Sequence, residues 1–297
     1  VTYVGRFAPS PTGPLHIGSL ATAVASFLHA RQAQGRWLVR IEDIDPPREI
    51  PGAAADILRT LEALALAWDG KVIYQGTRLE LYEAAAERLL RNGLAYYCSC
   101  TRSELRADTE GAAVPYPGTC RYKARHERAT AVRVRVGDGT DSFDDGVQGS
   151  VATVLAQSTG DYVIRRRDGL PAYHLAVVTD DAAQGVTTVV RGVDLLDSTA
   201  VHRHLQGVLG LAVPRYFHVP VVVGPDGQKL SKQTGAVAIG SAEPASVAGR
   251  VLEVLGAPVP GELRGAPPAE LWSWAAENWR IDVMRGRRAL ADPGMGR

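Results

Sequence analysis

The chain has 297 residues, of which 33 are basic and 32 acidic, for a formal net charge of +1. Apolar residues make up 45% and charged residues 22%, the balance of ordinary folded domains, which excludes a disordered or collagen-like chain. At ~150 residues per domain the length suits about two domains, and the near-neutral balance leaves room only for a local basic footprint.

Thr2 to Phe7 reads as a short buried strand and Trp37 to Ile41 as a second. An Ala-rich helix from Ser19 to Gln34 fits between them, with Gly35 as its stop. The run from Phe7 to Ala30 contains no Asp, Glu, Lys or Arg. Pro9, Pro11, Pro14 and His16 in its first half spoil it as a membrane span or secretory core, so no membrane partner is expected. Pro51-Gly52 opens a second helix in which Ile57, Leu61 and Leu64 share a face. Leu79 to Arg91 makes a third, with Tyr82, Ala86 and Leu89 aligned and Gly93 past its end. Strands alternating with helices argue for an α/β fold around a parallel sheet.

From Tyr96 to about Asp161 the texture changes to Gly, Pro, Asp and Thr, with short β-like pieces such as Ala131 to Val136, and this reads as an insertion. Alternation resumes with Leu175 to Val178 and Thr187 to Val190. A helix from Ser198 to Leu209, stopped by Gly210, and a strand from Phe217 to Val223 follow. The end of the chain turns helical, at Ser246 to Leu255 and Glu270 to Asn278. The expected organisation is an α/β unit over 1–240, interrupted by the insert at 96–161, and a helical subdomain over 241–297.

Three stretches could carry chemistry. Arg6-Phe-Ala-Pro-Ser-Pro-Thr-Gly-Pro-Leu-His16-Ile-Gly18-Ser19 joins the first strand to the first helix, where ligands bind in open α/β sheets. Gly18 lets a phosphate approach the helix N-terminus, and His16 could donate to a phosphoryl oxygen. Gly224-Pro-Asp-Gly-Gln-Lys229-Leu-Ser-Lys232-Gln follows a late strand, and its two lysines suit a loop that neutralises a triphosphate. Arg40-Ile-Glu42-Asp43-Ile-Asp45 ends the second strand with three acids able to hold an ammonium or a metal ion. Taken singly, a Pro-rich turn, a solvated lysine loop and a solvated acidic turn would read the same.

The cysteines are three, too few and too odd in number for a disulfide framework, which points to a reducing, cytoplasmic setting. Cys98-Ser-Cys100, nineteen residues, then Cys120 is one ligand short of a tetrahedral zinc site, and His126 would complete a Cys3His set. Three reduced, metal-free thiols are the other reading.

In combination the stretches resemble the signatures of class I aminoacyl-tRNA synthetases. Arg6-Phe-Ala-Pro-Ser-Pro-Thr-Gly and Arg40-Ile-Glu-Asp look like the glutamate and glutamine branch. Gly18-Ser-Leu, Ile44-Asp-Pro-Pro-Arg-Glu, Arg166-Arg-Asp-Gly-Leu, Tyr173-His-Leu-Ala-Val-Val, Arg191-Gly-Val-Asp-Leu and Lys229-Leu-Ser-Lys-Gln are similar to the glutamyl-queuosine tRNA(Asp) synthetase family. The likeness runs from Tyr3 to about Lys232 and weakly to Asn278-Trp-Arg. Pro14, Ile17 and the segment from Asp108 to Pro115 depart from the pattern.

The resemblance implies a Rossmann-type catalytic core with a zinc-binding insert and a short helical, stem-contact-like subdomain. Too little chain follows Lys232 for the anticodon-gripping module of a glutamyl-tRNA synthetase, and the resemblance implies activation of glutamate without tRNA. His16, Lys232 and Lys229 are implied as the catalytic set, with ATP on His16, Gly18 and Lys232 and Mg2+ on its phosphates. Arg6, Ser10, Glu42, Tyr173 and Arg191 are implied to bind L-glutamate. The family places a tyrosine, here Tyr116, beside Cys98, Cys100 and Cys120 as the fourth ligand of one structural Zn2+. The implied acceptor is queuosine of tRNA(Asp); a monomer is expected, although the sequence itself carries no signal of oligomeric state. A basic stripe from Arg121, Lys123, Arg125, Arg128 and Arg165 to Arg167 could meet the RNA. Two further readings remain, a truncated synthetase charging tRNA(Glu) and an inert zinc-stabilised RNA-binding protein.

Overall fold

Val4–Phe7 forms β1 and Arg36–Ile41 forms β2, paired in parallel from Val4↔Arg36 to Phe7↔Val39, with helix α1 (Ile17–Gln32) between them. The computed structural model describes residues 2–107, 115–123, 130–230 and 243–292. Helix α1 is buried on most of its circumference, Leu20, Val24, Ala25 and Leu28 included, because its alanines let it lie close to the sheet on one side and later helices on the other. Trp37 of β2 is fully buried, and its indole N–H donates to Ser26 Oγ at 3.1 Å.

Gly35 follows α1, but not in the conformation expected of a helix stop. Gln34 takes the left-handed geometry, at φ 51°, and Gly35 N closes the turn on Ala30 O at 2.9 Å. Glycine is required at 35 by a close approach: a Cβ there would lie 2.6 Å from both Tyr3 Cβ and the Tyr3 carbonyl oxygen. Gly35→Ala should therefore destabilise the protein by about 1–3 kcal/mol, read as a lower Tm in thermal unfolding. An unchanged Tm would show that Tyr3 can retreat without cost.

Helix α2 (Ala53–Ala63) buries Ile57 and Leu61, with Leu64 just beyond, and β3 (Ile73–Tyr74) pairs in parallel with β2. Helix α3 (Leu79–Arg91) buries Tyr82, Ala86 and Leu89 as its spacing predicts. At β4 (Ala95–Cys98) the pairing changes from parallel to antiparallel. After α4 (Arg102–Ala107) come β5 (Ala131–Val134), the hairpin β6 (Thr140–Asp145) and β7 (Gly149–Val154), α5 (Leu155–Ser158) and β8 (Val163–Arg165). Strands β4, β5 and β8 form one antiparallel sheet, whereas β6 and β7 form a separate two-stranded sheet among the described residues.

Leu175 to Val178 belongs to a helix, α6 (Tyr173–Ala183), in which every residue from Leu175 to Asp181 is buried. A four-residue apolar run has no period of its own, and full burial removed the polar face that would have marked a helix. Strand β9 (Thr188–Gly192) pairs in parallel with β10 (Arg215–Val219), and β9 adjoins β1 where Thr187 N donates to Val4 O at 2.9 Å. Between β9 and β10, α7 (Leu196–Leu209) ends at a left-handed Gly210, as expected. The expected strand to Val223 is broken at Pro220, which has no N–H to donate, so β11 is only Val221–Val223.

Helices α8 (Pro244–Val254) and α9 (Pro268–Asn278) join the core of the first half of the chain. Leu252, Trp272 and Trp279 share one apolar cluster with Leu20 and Trp37, and Trp272 Nε1 donates to Leu64 O at 2.6 Å. The last stretch is not purely helical: β12 (Ala289–Ala291) pairs in parallel with β11. Among the described residues no helix is long and apolar enough to cross a membrane.

Candidate active site

The carboxyl ends of β1, β2 and β9, the start of α1 and α6, and β11 enclose a cavity of about 380 Å3. It brings together Arg6, Ser10, His16, Gly18, Glu42, Tyr173, Arg191 and Lys229, which the sequence scatters over more than two hundred positions. This is the position at which open α/β sheets bind ligands. Lys232 and His126 lie outside the described residues.

His16 is the N-cap of α1. Its Nδ1 accepts from Gly18 N at 3.2 Å and Ser19 N at 3.3 Å, while Ser19 Oγ accepts from His16 N at 2.9 Å. The histidine is satisfied locally as a helix start, and it also lines the cavity. With Nδ1 accepting, the neutral imidazole carries its proton on Nε2. A Cβ at Gly18 would lie 3.1 Å from the His16 ring, so glycine keeps that ring and the helix entrance uncrowded.

The acids at the end of β2 divide. Glu42 faces the cavity and pairs with fully buried Arg40 at 3.2 Å. Asp43 accepts from Gly76 N at 2.8 Å, and Asp45 pairs with Arg48 and, at 2.9 Å, with Arg166. They form no joint metal site, because the strand end turns after Glu42 and the other two acids anchor neighbouring loops. Burial pushes the Glu42 carboxyl above its ordinary range, with Arg40 and Arg6 pulling the other way. Beneath it Asp181 accepts from Arg40 at 2.8 Å and from Arg6 Nε at 3.2 Å. Burial opposes ionisation of Asp181, but the two guanidiniums overcome it and hold the carboxyl below its ordinary range. Both Nη groups of Arg6 are left without partners among the described residues.

Arg191 does not pair with Asp194, which instead takes Lys229 Nζ at 2.7 Å. Among the described residues the buried guanidinium has only neutral partners: His218 Nε2 at 3.0 Å, His202 Nδ1 at 3.1 Å, Thr199 Oγ1 at 2.8 Å and Leu195 O at 3.1 Å. Burial and the adjacent Arg191 push His202 well below the usual imidazole range, so it is neutral and free to accept. The planar fork at Nε and Nη2 is occupied by protein, and one N–H, on Nη1, remains open among the described residues. Tyr173 packs its ring 5.6 Å from that of His202, within the same wall.

Cys98, Cys100 and Cys120 bring their sulfurs within 4.8 Å of one another. Tyr116 Oη lies 3.3 Å from Cys98 Sγ and 3.5 Å from Cys100 Sγ, and it accepts from Cys120 N at 3.0 Å. Burial opposes ionisation of Cys120, but hydrogen bonds from Ser99, Tyr116 and Cys100 bring its thiol to about 7. Arg133 donates to Cys98 Sγ at 3.4 Å and lies 3.9 Å from the Tyr116 ring centre. This set can bind a metal.

Among the described residues, four members of the basic stripe are engaged within the fold. Arg121 pairs with buried Asp161 at 2.5 Å, Arg165 with Glu83, and Arg166 with Asp45 and Asp168, while Arg167 donates to Ser99 O. Arg125 and Arg128 lie outside the described residues. Sequence reasoning missed Asp181, His202, His218 and Asp145. The one visible signal was Asp180-Asp181 at the end of an apolar run, since unsolvated acids imply buried cationic partners.

Residues 3–243 match the family described as tRNA synthetases class I (E and Q), catalytic domain, so the cavity is that of a class I synthetase. A glutamyl-Q tRNA(Asp) synthetase of Ectopseudomonas mendocina is 52% identical over 290 residues, covering 98% of this chain and 97% of the relative. That of Thiobacillus denitrificans is 51% identical over 98% of this chain and 97% of the relative. The chain belongs to the glutamyl-Q tRNA(Asp) synthetase family within that class. The glutamate-tRNA synthetase of Elizabethkingia anophelis is similar at a TM-score of 0.82 and 25% identity, over 98% of this chain and 68% of that one. A glutamate tRNA ligase of Elizabethkingia meningosepticum, in complex with its amino acid, shares the fold at a TM-score of 0.83 and 24% identity, over 98% of this chain and 67% of that one.

Proposed function

We propose that this chain activates L-glutamate with ATP, without tRNA, and transfers it to the cyclopentene diol of queuosine at the wobble position of tRNA(Asp). The observation that carries the amino-acid half is the charge layout of the cavity. Among the described residues Arg191 is cationic with only neutral partners, the Nη groups of Arg6 are open, and Glu42 is the buried acid lining the cavity. An ammonium on Glu42 and a side-chain carboxylate between Arg6 and Arg191 fill that layout. Glutamine would leave the guanidiniums without an anion. The RNA half rests on the relatives, whose length the chain matches nearly in full.

In the first step the glutamate α-carboxylate attacks the α-phosphorus, the bond to the β-phosphate oxygen breaks, and pyrophosphate leaves glutamyl-adenylate. A carboxylate is ionised at pH 7, so the chain supplies position and charge rather than a base. His16 Nε2–H and Lys232 would stabilise the developing charge, with Lys229 holding the loop through Asp194. Mg2+ would enter on the ATP phosphates. In the second step a diol hydroxyl attacks the adenylate carbonyl, AMP leaves and the hydroxyl proton is lost. The deciding experiment is glutamate-dependent ATP–pyrophosphate exchange without RNA. Exchange is expected; its appearance only with tRNA(Glu) would establish a conventional charging enzyme, and its absence throughout a binding protein.

Glutamate affinity should also depend on pH. The raised Glu42 carboxyl must be ionised to hold an ammonium, so affinity is full above its folded-state pKa and lost as pH falls through it. The KM for glutamate should accordingly rise on acidification at a higher pH than an ordinary carboxylate would dictate, and a KM that stays flat until the ordinary carboxylate range is reached would remove Glu42 from the ammonium site.

We assign the sulfur cluster one Zn2+, held by Cys98, Cys100, Cys120 and Tyr116 in a reducing cytoplasm. The sulfur spacing and the Tyr116 hydroxyl fit a tetrahedral set, with Arg133 offsetting the excess negative charge. Chelation should release about one zinc per chain and increase proteolysis within 96–161, leaving exchange nearly intact. Loss of exchange on chelation would make the metal more than structural.

A further inference from the structure

Asp145 and His218 play no part in the steps above, yet they determine how Arg191 is held. His218 of β10 is completely buried, and Asp145 at the end of β6 is nearly so. Asp145 Oδ2 lies 2.6 Å from His218 Nδ1, and Oδ1 accepts the backbone N–H groups of Val147, Gln148 and His218 at 3.0, 2.9 and 3.0 Å. Four hydrogen bonds fix that carboxylate. An ionised carboxylate only accepts, so the imidazole proton sits on Nδ1 and Nε2 presents a lone pair. Arg191 Nε donates to it at 3.0 Å, and Thr199 Oγ1, itself accepting from Arg191 Nη2, lies 3.0 Å from the same nitrogen.

We infer that Asp145 and His218 are positioning residues for the substrate side chain. Asp145 sets the tautomer of His218, and His218 fixes Arg191 by its Nε edge so that the guanidinium is presented to a substrate carboxylate. This rests on the proposed role of Arg191 in binding that carboxylate. The other tautomer would set an imidazole N–H against a guanidinium N–H. Burial lowers the basicity of His218 despite its bond to Asp145, which keeps the ring an acceptor. The arrangement also ties the β6–β7 hairpin to the cavity. Gly146 N bonds Tyr216 O at 2.9 Å, and a Cβ at Gly146 would lie 2.1 Å from the Phe217 ring, so the hairpin is seated directly on β10.

Asp145→Asn tests this with little change of volume, because an amide N–H can face Nδ1 and let the proton move to Nε2. The KM for glutamate in ATP–pyrophosphate exchange should rise about tenfold or more, with kcat at saturating glutamate and the KM for ATP within about twofold. His218→Leu should act in the same direction. His218→Gln, whose Oε1 can replace Nε2 as acceptor, should recover most of the affinity. A folded Asp145→Asn or His218→Leu protein with the wild-type glutamate KM overturns the inference, as does an equal rise in both KM values. Should those variants not fold, long-range 1H–15N spectra of the wild-type protein read the tautomer directly, with His218 assigned by its absence in His218→Gln. Nδ1–H is expected, and Nε2–H overturns the inference. Arg191→Lys, run alongside, separates the two ideas. If it leaves the glutamate KM unchanged, the role of Arg191 itself fails; if it alone raises the KM, only the positioning role of Asp145 and His218 fails.

Discussion

Replacing Arg191 with lysine should raise the KM for glutamate about 100-fold in ATP–pyrophosphate exchange, with the KM for ATP nearly unchanged. The size of the effect follows from how the guanidinium is built in. Its Nε and Nη2 hydrogens reach His218, Thr199 and Leu195 O, and Nη1 reaches His202, so four bonds on different elements define one orientation. A lysine ammonium has three donors on a single atom and cannot satisfy partners that surround a plane. It would leave neutral acceptors of β10 and α7 unpaired in a buried wall and move the charge away from the cavity. The loss should be confined to the amino acid, since none of these partners is in the loops at His16 or Lys229 that are proposed to face the nucleotide. The same KM for glutamate in the lysine variant would remove Arg191 from the proposed side-chain carboxylate site.

What could be read from the sequence was what local chemistry dictates. The Pro-rich turn, the glycine at the helix entrance and the acid ending β2 are short-range patterns, and each reappears in the cavity wall. The parallel core was legible because strands and helices alternate with ordinary periods through Arg91. Helix α6 was not, since its buried acids and apolar residues erase the amphipathic stripe that marks a helix. The partners of Arg191 were equally hidden. His202, His218 and Asp145 come from α7, β10 and a hairpin in the insert, and nothing within a few residues of any of them hints at a guanidinium. The three-acid motif misled for the opposite reason: adjacency in sequence suggested one ligand set, while each successive residue leaving the strand took a separate partner.

The capping role of His16 makes its replacement informative only when two variants are compared. His16→Ala removes the Nδ1 acceptor of Gly18 and Ser19 together with the Nε2 donor, so it should lower stability by about 1 kcal/mol and also depress catalysis. His16→Asn keeps a side-chain acceptor well suited to the N-cap and removes only the imidazole. If Nε2–H stabilises charge on the phosphates as pyrophosphate leaves, the asparagine variant should keep the wild-type Tm and lose about 100-fold in kcat for exchange, with both KM values little changed. A fall in kcat that follows Tm through both variants would mean that the histidine acts by holding the start of α1, and an asparagine variant with full kcat would leave it a helix cap alone. The distinction matters for the whole cavity. Helix α1 carries Gly18 and Ser19 into it and is buried against the sheet along its length, so fraying at His16 and loss of a proton donor would look alike in a single alanine substitution.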